Sequence, residues 1–277
     1  MSRIAAIQMA SGPNLNANLL EAGRLLKQAA EGGAELVVLP ENFALMGMSE
    51  HDKVKARESE GSGPLQDFLA ETAARHHLWL VGGTIPLSVE DANKVAAASL
   101  LYDASGNRVA RYDKIHLFDV LITENDERYN ESETTAAGDQ VVVVDTPFGK
   151  LGMAVCYDLR FPGLFRSLVE QGAEIFSIPS AFTAITGKAH WEVLVRARAI
   201  ENQCYVIAAA QGGYHANGRE TYGDSMVIDP WGVVLNRLTR GPGVVFSEIN
   251  LARLREIRKS FPVLEHRKIR CLMPGKG

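Results

Sequence analysis

Short apolar runs closed off by Gly, Pro or Asp recur from one end of this sequence to the other, at residues 4–8, 36–39, 78–81, 97–102, 141–144, 151–155, 175–178, 206–210, 226–228 and 244–249. Runs of that length suit buried strands and are too short to stand as helices of their own. Longer segments of helical period lie between several of them. One carries Leu19, Leu20, Leu25 and Leu26 and ends at the helix-terminating pair Gly32-Gly33. A second runs over 64–76, a third opens at Pro162 and passes Leu164, Phe165 and Leu168 to Gly172, and a fourth covers 189–202 with Trp191, Leu194 and Val195 on one face. Ala104-Ser105-Gly106-Asn107 joins two runs as a hairpin, so the alternation predicts an α/β fold with mixed rather than purely parallel sheets.

The chain has 277 residues, 46% of them hydrophobic, enough to bury a large core without disulfides or metal. No Pro/Ser/Gly-rich linker divides it, so one domain over 1–277 is expected, with about the last ten residues a tail. A net charge of -4 argues against a nucleic-acid surface, which needs clustered Lys and Arg. Cys156, Cys204 and Cys271 match neither a disulfide framework nor a zinc site, so no metal and no cofactor is expected. The opening residues lack the apolar core of a signal peptide and no run is long enough to span a bilayer. A cytoplasmic protein without membrane contact is expected.

Three positions place a reactive side chain directly after an apolar run, where α/β proteins build their sites. Glu41 follows Leu36-Val37-Val38-Leu39-Pro40, and taken alone it reads as a solvated turn carboxylate. Cys156 stands between a strand and the helix opened by Pro162. There a helix dipole and free N–H groups would favour the nucleophilic thiolate, although a buried structural cysteine reads the same way. Lys114 sits among Tyr112, Ile115, Leu117 and Phe118, costly unless an anion meets it, with a snorkelling surface lysine as the alternative.

These segments together resemble the nitrilase superfamily of carbon–nitrogen hydrolases, whose members carry Glu, Lys and Cys in this chain order. The matching stretches are Leu39-Pro40-Glu41-Asn42, Tyr112-Asp113-Lys114-Ile115-His116-Leu117 and Val155-Cys156-Tyr157-Asp158-Leu159-Arg160-Phe161-Pro162. Others follow at Pro179-Ser180-Ala181-Phe182, Gly187-Lys188-Ala189-His190-Trp191-Glu192, Arg196 to Asn202 and Asp229-Pro230-Trp231-Gly232. The resemblance implies a four-layer α-β-β-α sandwich, a homodimer, and a second site glutamate. Glu131 in Tyr129-Asn130-Glu131-Ser132 is our choice for that glutamate, with Glu127 and Glu133 as neighbouring alternatives.

It also implies an amidase: Cys156 attacks the carbonyl, Glu41 shuttles the proton, and Lys114 with the Tyr157 backbone N–H faces the oxyanion. Ala208-Ala209-Ala210-Gln211-Gly212, His215, Arg219 and Tyr222-Gly223-Asp224-Ser225-Met226 resemble the Nit branch. That branch implies a small 2-oxo acid amide, namely deaminated glutathione cut to 2-oxoglutarate and cysteinylglycine. Arg160 would fork the substrate carboxylate, with Phe182 and Thr186, expected in the loop before the fourth helix, completing the substrate pocket. An ω-amidase acting on 2-oxoglutaramate, a cysteine–histidine hydrolase using His116 or His190, and a non-catalytic binding protein keeping the fold remain the rival readings.

Overall fold

A computed structural model of the chain describes residues 1–123 and 127–269. Strand Ser2–Gln8 shows how the layers form, because alternate side chains of a strand face opposite ways. Ile4 and Ala6 join Leu151, Met153, Ile175, Ile178 and Ile207 in a core between two sheets. Ala5 and Ile7 turn the other way and pack with Leu25, Leu26, Leu65 and Leu69 from two covering helices. Every side chain in these two sets is almost wholly buried, and at roughly 1.5–3 kcal/mol for each large aliphatic this burial supplies the main driving force for folding.

The first sheet runs in the order Gly243–Ile249, Ser2–Gln8, Leu36–Val38, Trp79–Val81, Val95–Tyr102, Ile85–Ser88, with Arg108–Asp113 and Thr135–Ala136 also paired to Val95–Tyr102. The second runs Val143–Thr146, Gly149–Met153, Ile175–Ser180, Tyr205–Ala210, Ser225–Ile228, Val234–Leu238. Both are mixed: Leu36–Val38 is parallel to its neighbours, whereas Val95–Tyr102 pairs antiparallel with Arg108–Asp113 across the expected hairpin. The helices are α1 (Leu15–Glu31), α2 (His51–Lys55), α3 (Pro64–His76), α4 (Pro162–Glu170), α5 (Ala184–Asn202) and α6 (Leu251–Ser260). With α1 and α3 over the first sheet and α4 and α5 over the second, the chain forms an α-β-β-α sandwich.

The predicted helix over 189–202 begins five residues earlier, at Ala184. Thr183 caps it by accepting the Thr186 N–H at 3.3 Å, a start signal hidden in the sequence by the helix-weakening Gly187. Gly187 is there because any Cβ would collide with the Tyr222 side chain. The strands expected at 141–144 and 151–155 each sit two residues away, because Thr146 pairs with Gly149 as a tight hairpin and Val155 leaves the sheet for the turn at Cys156. Cys271 and nearly all of the expected tail lie outside the described residues. Among the described residues no helix is long and apolar enough to cross a membrane.

Candidate active site

Glu41 and Cys156 each stand three residues beyond the end of a strand, Leu36–Val38 and Gly149–Met153, and Lys114 directly follows Arg108–Asp113. The fold brings them together with Glu131 on the wall of one cavity of about 270 Å³, which Tyr157, Arg160, Phe182 and Thr186 also line. Lys114 is only 2% exposed, and its Nζ donates to Glu41 Oε1 at 2.8 Å. The same ammonium donates to both oxygens of Glu131, at 3.0 and 2.8 Å. Glu131 Oε2 also accepts the Phe118 N–H at 2.7 Å, which fixes the carboxylate from the other side. Glu127, by contrast, accepts the Tyr129 hydroxyl at 2.6 Å.

Burial disfavours the Lys114 ammonium, but the charges of Glu131 and Glu41 outweigh it and hold the lysine pKa well above its usual value. The converse holds for Glu131. Burial pushes its carboxyl up, Lys114 and then Lys53 pull harder the other way, and the net shift is downward. The site therefore carries a fixed ammonium between carboxylates.

The thiol does not follow the sequence expectation. Burial, reinforced by the negative charge of Glu41, pushes Cys156 well above the ordinary thiol range, and Lys114 and the Ala181 N–H only partly oppose this. A dipole-favoured thiolate was expected because a helix follows. The element that follows is a single 3₁₀ turn, Cys156–Arg160, and α4 starts only at Pro162, six residues on. The Ala181 N–H instead points at Sγ, at 3.5 Å. Burial therefore favours the protonated form of Cys156, so a base beside it would be needed to make the sulfur reactive.

Cys156 also sits in the left-handed region, with φ +47°. For a residue with a Cβ this costs on the order of 1–3 kcal/mol and persists only where neighbours over-determine it. Asp158 provides that constraint. Fully buried, it accepts the Val155 N–H at 2.8 Å, the Tyr112 hydroxyl at 2.7 Å and the His116 N–H at 3.1 Å. The His116 ring packs flat on Phe161, centroids 3.7 Å apart, with Nδ1 2.7 Å from Asp158. His116 therefore belongs to the scaffold of the turn. His190 contacts Arg160 at 3.2 Å.

Arg160 binds neither Asp158 nor Glu192, the partners a purely structural arginine would take; its guanidinium lies 5.2 Å over the Phe182 ring and 5.9 Å over Tyr157. Phe182 packs edge-on against Trp191 just ahead of α5. Thr186, expected in a loop, is in the first turn of α5, because that helix starts early.

The partners through which other groups hold these residues are not legible in the sequence, although the resemblance marks the charges of the 189–202 helix, Arg198 among them, as bracing the site and Asp224 as a departure from the family pattern. Gln211 Nε2 donates to the Glu41 carbonyl at 3.0 Å, while its side-chain oxygen takes the Ser11 N–H at 2.9 Å. Arg198 donates twice to the Leu159 carbonyl, at 3.0 and 2.7 Å, and so ties α5 to the turn that carries Cys156. Its signal was a charge on a helix position that the apolar pattern buries. Gly83 lies in the left-handed region with φ +56°, and a Cβ there would fall on the Pro40 carbonyl oxygen, one residue from Glu41. Asp224, which also has positive φ, is buried in an ion pair with Arg237, and its carbonyl accepts the Trp191 indole N–H at 2.8 Å.

Residues 3–259 match the family model for carbon-nitrogen hydrolases. A relative from Yersinia enterocolitica named deaminated glutathione amidase is 44% identical over 99% of this chain and 96% of its own length. A Synechocystis protein of the same name is 46% identical over 95% of this chain and 97% of its own. The crystal structure of the C. elegans NitFhit protein superposes with a TM-score of 0.87 at 40% identity over 96% of this chain, which spans 65% of that longer one. The chain belongs to the carbon-nitrogen hydrolase family and has the nitrilase fold. It is a hydrolase of carbon–nitrogen bonds other than peptide bonds, with an amide as substrate.

Proposed function

We propose that this amidase hydrolyses deaminated glutathione to 2-oxoglutarate and cysteinylglycine, with Cys156 as nucleophile, Glu41 as general base and acid, Lys114 as the fixed positive charge and Glu131 as its positioning partner. The observation that carries the mechanism is the buried Lys114 ammonium clamped between Glu41 and Glu131 on the wall that also presents the Cys156 thiol. The substrate rests on the shared name of full-length relatives at 44% and 46% identity.

Glu41 takes the thiol proton as Sγ adds to the amide carbonyl, and Lys114, with the Tyr157 backbone N–H, stabilises the oxygen that becomes negative. The carbon–nitrogen bond then breaks as Glu41 returns that proton to the departing amine, leaving a thioester on Cys156. Water, deprotonated by Glu41, adds to the thioester; the carbon–sulfur bond breaks and the proton returns to sulfur. Lys114 stays protonated throughout, because two carboxylates hold it so. Arg160 accepts the 2-oxo acid carboxylate in a bidentate fork, with Phe182 and Thr186 beside it.

The chain pairs with a second copy of itself through the outer face of α5, where Val193 and Ile200 are exposed one above the other, together with Trp231 and Phe261.

Release of 2-oxoglutarate from deaminated glutathione and from 2-oxoglutaramate, compared by kcat/KM, tests the substrate. A preference for the first supports deaminated glutathione; a preference for 2-oxoglutaramate makes the chain an ω-amidase. Cys156→Ala with undiminished turnover would remove the nucleophile, and its complete loss of turnover with an unchanged circular dichroism spectrum supports it.

A further inference from the structure

A row of three aromatic rings crosses the cavity wall. The Tyr157 and Phe118 ring centroids are 5.0 Å apart, and those of Phe118 and Tyr129 are 5.1 Å apart. Arg160 caps the row at the Tyr157 end, and the Arg219 guanidinium lies 4.8 Å over the Tyr129 ring at the other. The nucleophile is the residue before Tyr157, so a substrate carbonyl at Cys156 has one arginine close by and the other farther off, beyond Phe118.

Arg219 is under-paired for a guanidinium. Among the described residues its carboxylate partner is Glu50, 3.4 Å away and taken more closely by Lys53 at 2.6 Å. Its buried Nε has no hydrogen-bond partner among the described residues. Counted over the whole cavity lining, the carboxylates of Glu41, Glu50 and Glu131 stand against the cations of Lys53, Lys114, Arg128, Arg160 and Arg219, which leaves the wall with a net positive charge. The cluster is built rather than accidental: Asn217, two residues before Arg219, donates to the Gly47 carbonyl at 2.7 Å and so pins the Arg219 turn to the loop that carries Glu50.

We propose that Arg219, steadied by Glu50 beside Lys53, binds a carboxylate at the far end of the departing amine, so that the enzyme selects amides bearing an anion at both ends; this rests on the substrate reading above. Cysteinylglycine supplies such a carboxylate, and two residues of extended chain reach about 7 Å from the scissile nitrogen. That length exceeds the 5.0 Å step from the Tyr157 ring to the Phe118 ring, so it carries the carboxylate past Phe118 and toward the Arg219 side of the row. The 2-oxo acid carboxylate meanwhile stays with Arg160. The row of rings between them offers the apolar surface that a cysteinyl side chain needs.

The test compares deaminated glutathione with its analogue ending in glycinamide, for the wild-type protein, Arg219→Gln and Arg219→Lys. The wild type is expected to favour the carboxylate substrate by about tenfold or more in kcat/KM, the worth of one charge-assisted contact. Arg219→Gln should bring that ratio close to one, and Arg219→Lys should restore part of it. General damage to the fold lowers both substrates together and leaves the ratio standing, so a ratio that persists in Arg219→Gln overturns the assignment. Equal and rapid turnover of both peptides by the wild type overturns the subsite alone. Turnover of neither peptide removes the substrate reading and the subsite together.

Discussion

Glu131 holds Lys114 through both carboxylate oxygens, at 2.8 and 3.0 Å, while Glu41 takes a third proton of the same ammonium. Two acids on one base, all nearly out of water, leave Lys114 as the element whose loss is most damaging. Lys114→Met should abolish turnover and cost about 3–5 kcal/mol of stability, since it strands two buried carboxylates. Urea unfolding of the variant measures the cost. A loss under about 1 kcal/mol would mean that water already relieves these charges.

The raised Cys156 pKa makes a second expectation. With the free thiol well above its ordinary range, the thiolate fraction rises tenfold per pH unit across neutrality and beyond. Iodoacetamide labelling of Cys156, followed by intact and peptide mass, should keep accelerating between about pH 7 and 9. A rate that levels off below pH 8 would show that Lys114 and the Ala181 N–H outweigh burial. Cys204, fully buried and pushed up to about 12 by that burial, should label far more slowly at every pH.

Gly83 supplies a third. Substitution by alanine forces a side chain into a left-handed conformation and against the Pro40 carbonyl, so Gly83→Ala should cost about 2–4 kcal/mol. Because the displaced peptide carries Glu41, kcat should fall well before the protein unfolds. Kinetics at 10 °C, where the variant stays folded, separate the two effects. An unchanged kcat there would mean that Glu41 is positioned independently of this turn.

How much of this was open to a sequence reader depends on range. The strands that leave Glu41, Lys114 and Cys156 at their ends are visible because period and punctuation are local properties, and the Gly106 hairpin fixes Lys114 beside its sheet for the same reason. The thiol pKa was misjudged because the dipole argument uses only the next helix, whereas burial and Glu41 act from parts of the chain over a hundred residues away. Asp158 and Gln211 were invisible as braces, and Arg198 was legible only as one of the helix charges that the family resemblance sets to bracing the site. Their partners lie between 3 and 200 positions distant, and a polar residue in an apolar stretch says that a partner exists without saying which one.

The exposed apolar face on α5 leads to a fourth prediction. Trp231 and Phe261 rings meet at 5.8 Å, and Gly232 packs against Ile200, so the side chains form one continuous patch. On the proposed pairing, Trp231→Glu should convert the dimer to a monomer by sedimentation velocity at micromolar concentration, since a charge buried in an apolar interface cannot be solvated there. A wild-type protein that sediments as a monomer would leave this patch without the partner assigned to it.

The shift on Glu131 fixes the sign of a last expectation. Its carboxyl is lowered in the folded chain, chiefly because Lys114 outweighs the burial that would raise it, so the unfolded chain binds the proton more readily in acid. The stabilisation is then fully present above the unfolded value of about 4.3 and drains away as pH falls through the lower folded value. Lys114 is raised instead, so its contribution is complete below about 10.4 and is lost only in strong alkali, outside this window. Glu131→Gln removes the titrating group but keeps the shape. The stability gap between wild type and variant should therefore be widest near neutrality and narrow steadily below about pH 4.5, as read by guanidinium unfolding at a series of pH values. A gap that stays constant down to pH 3 would show that Glu131 binds its proton equally in both states, and that the Lys114 clamp contributes no net preference for the carboxylate.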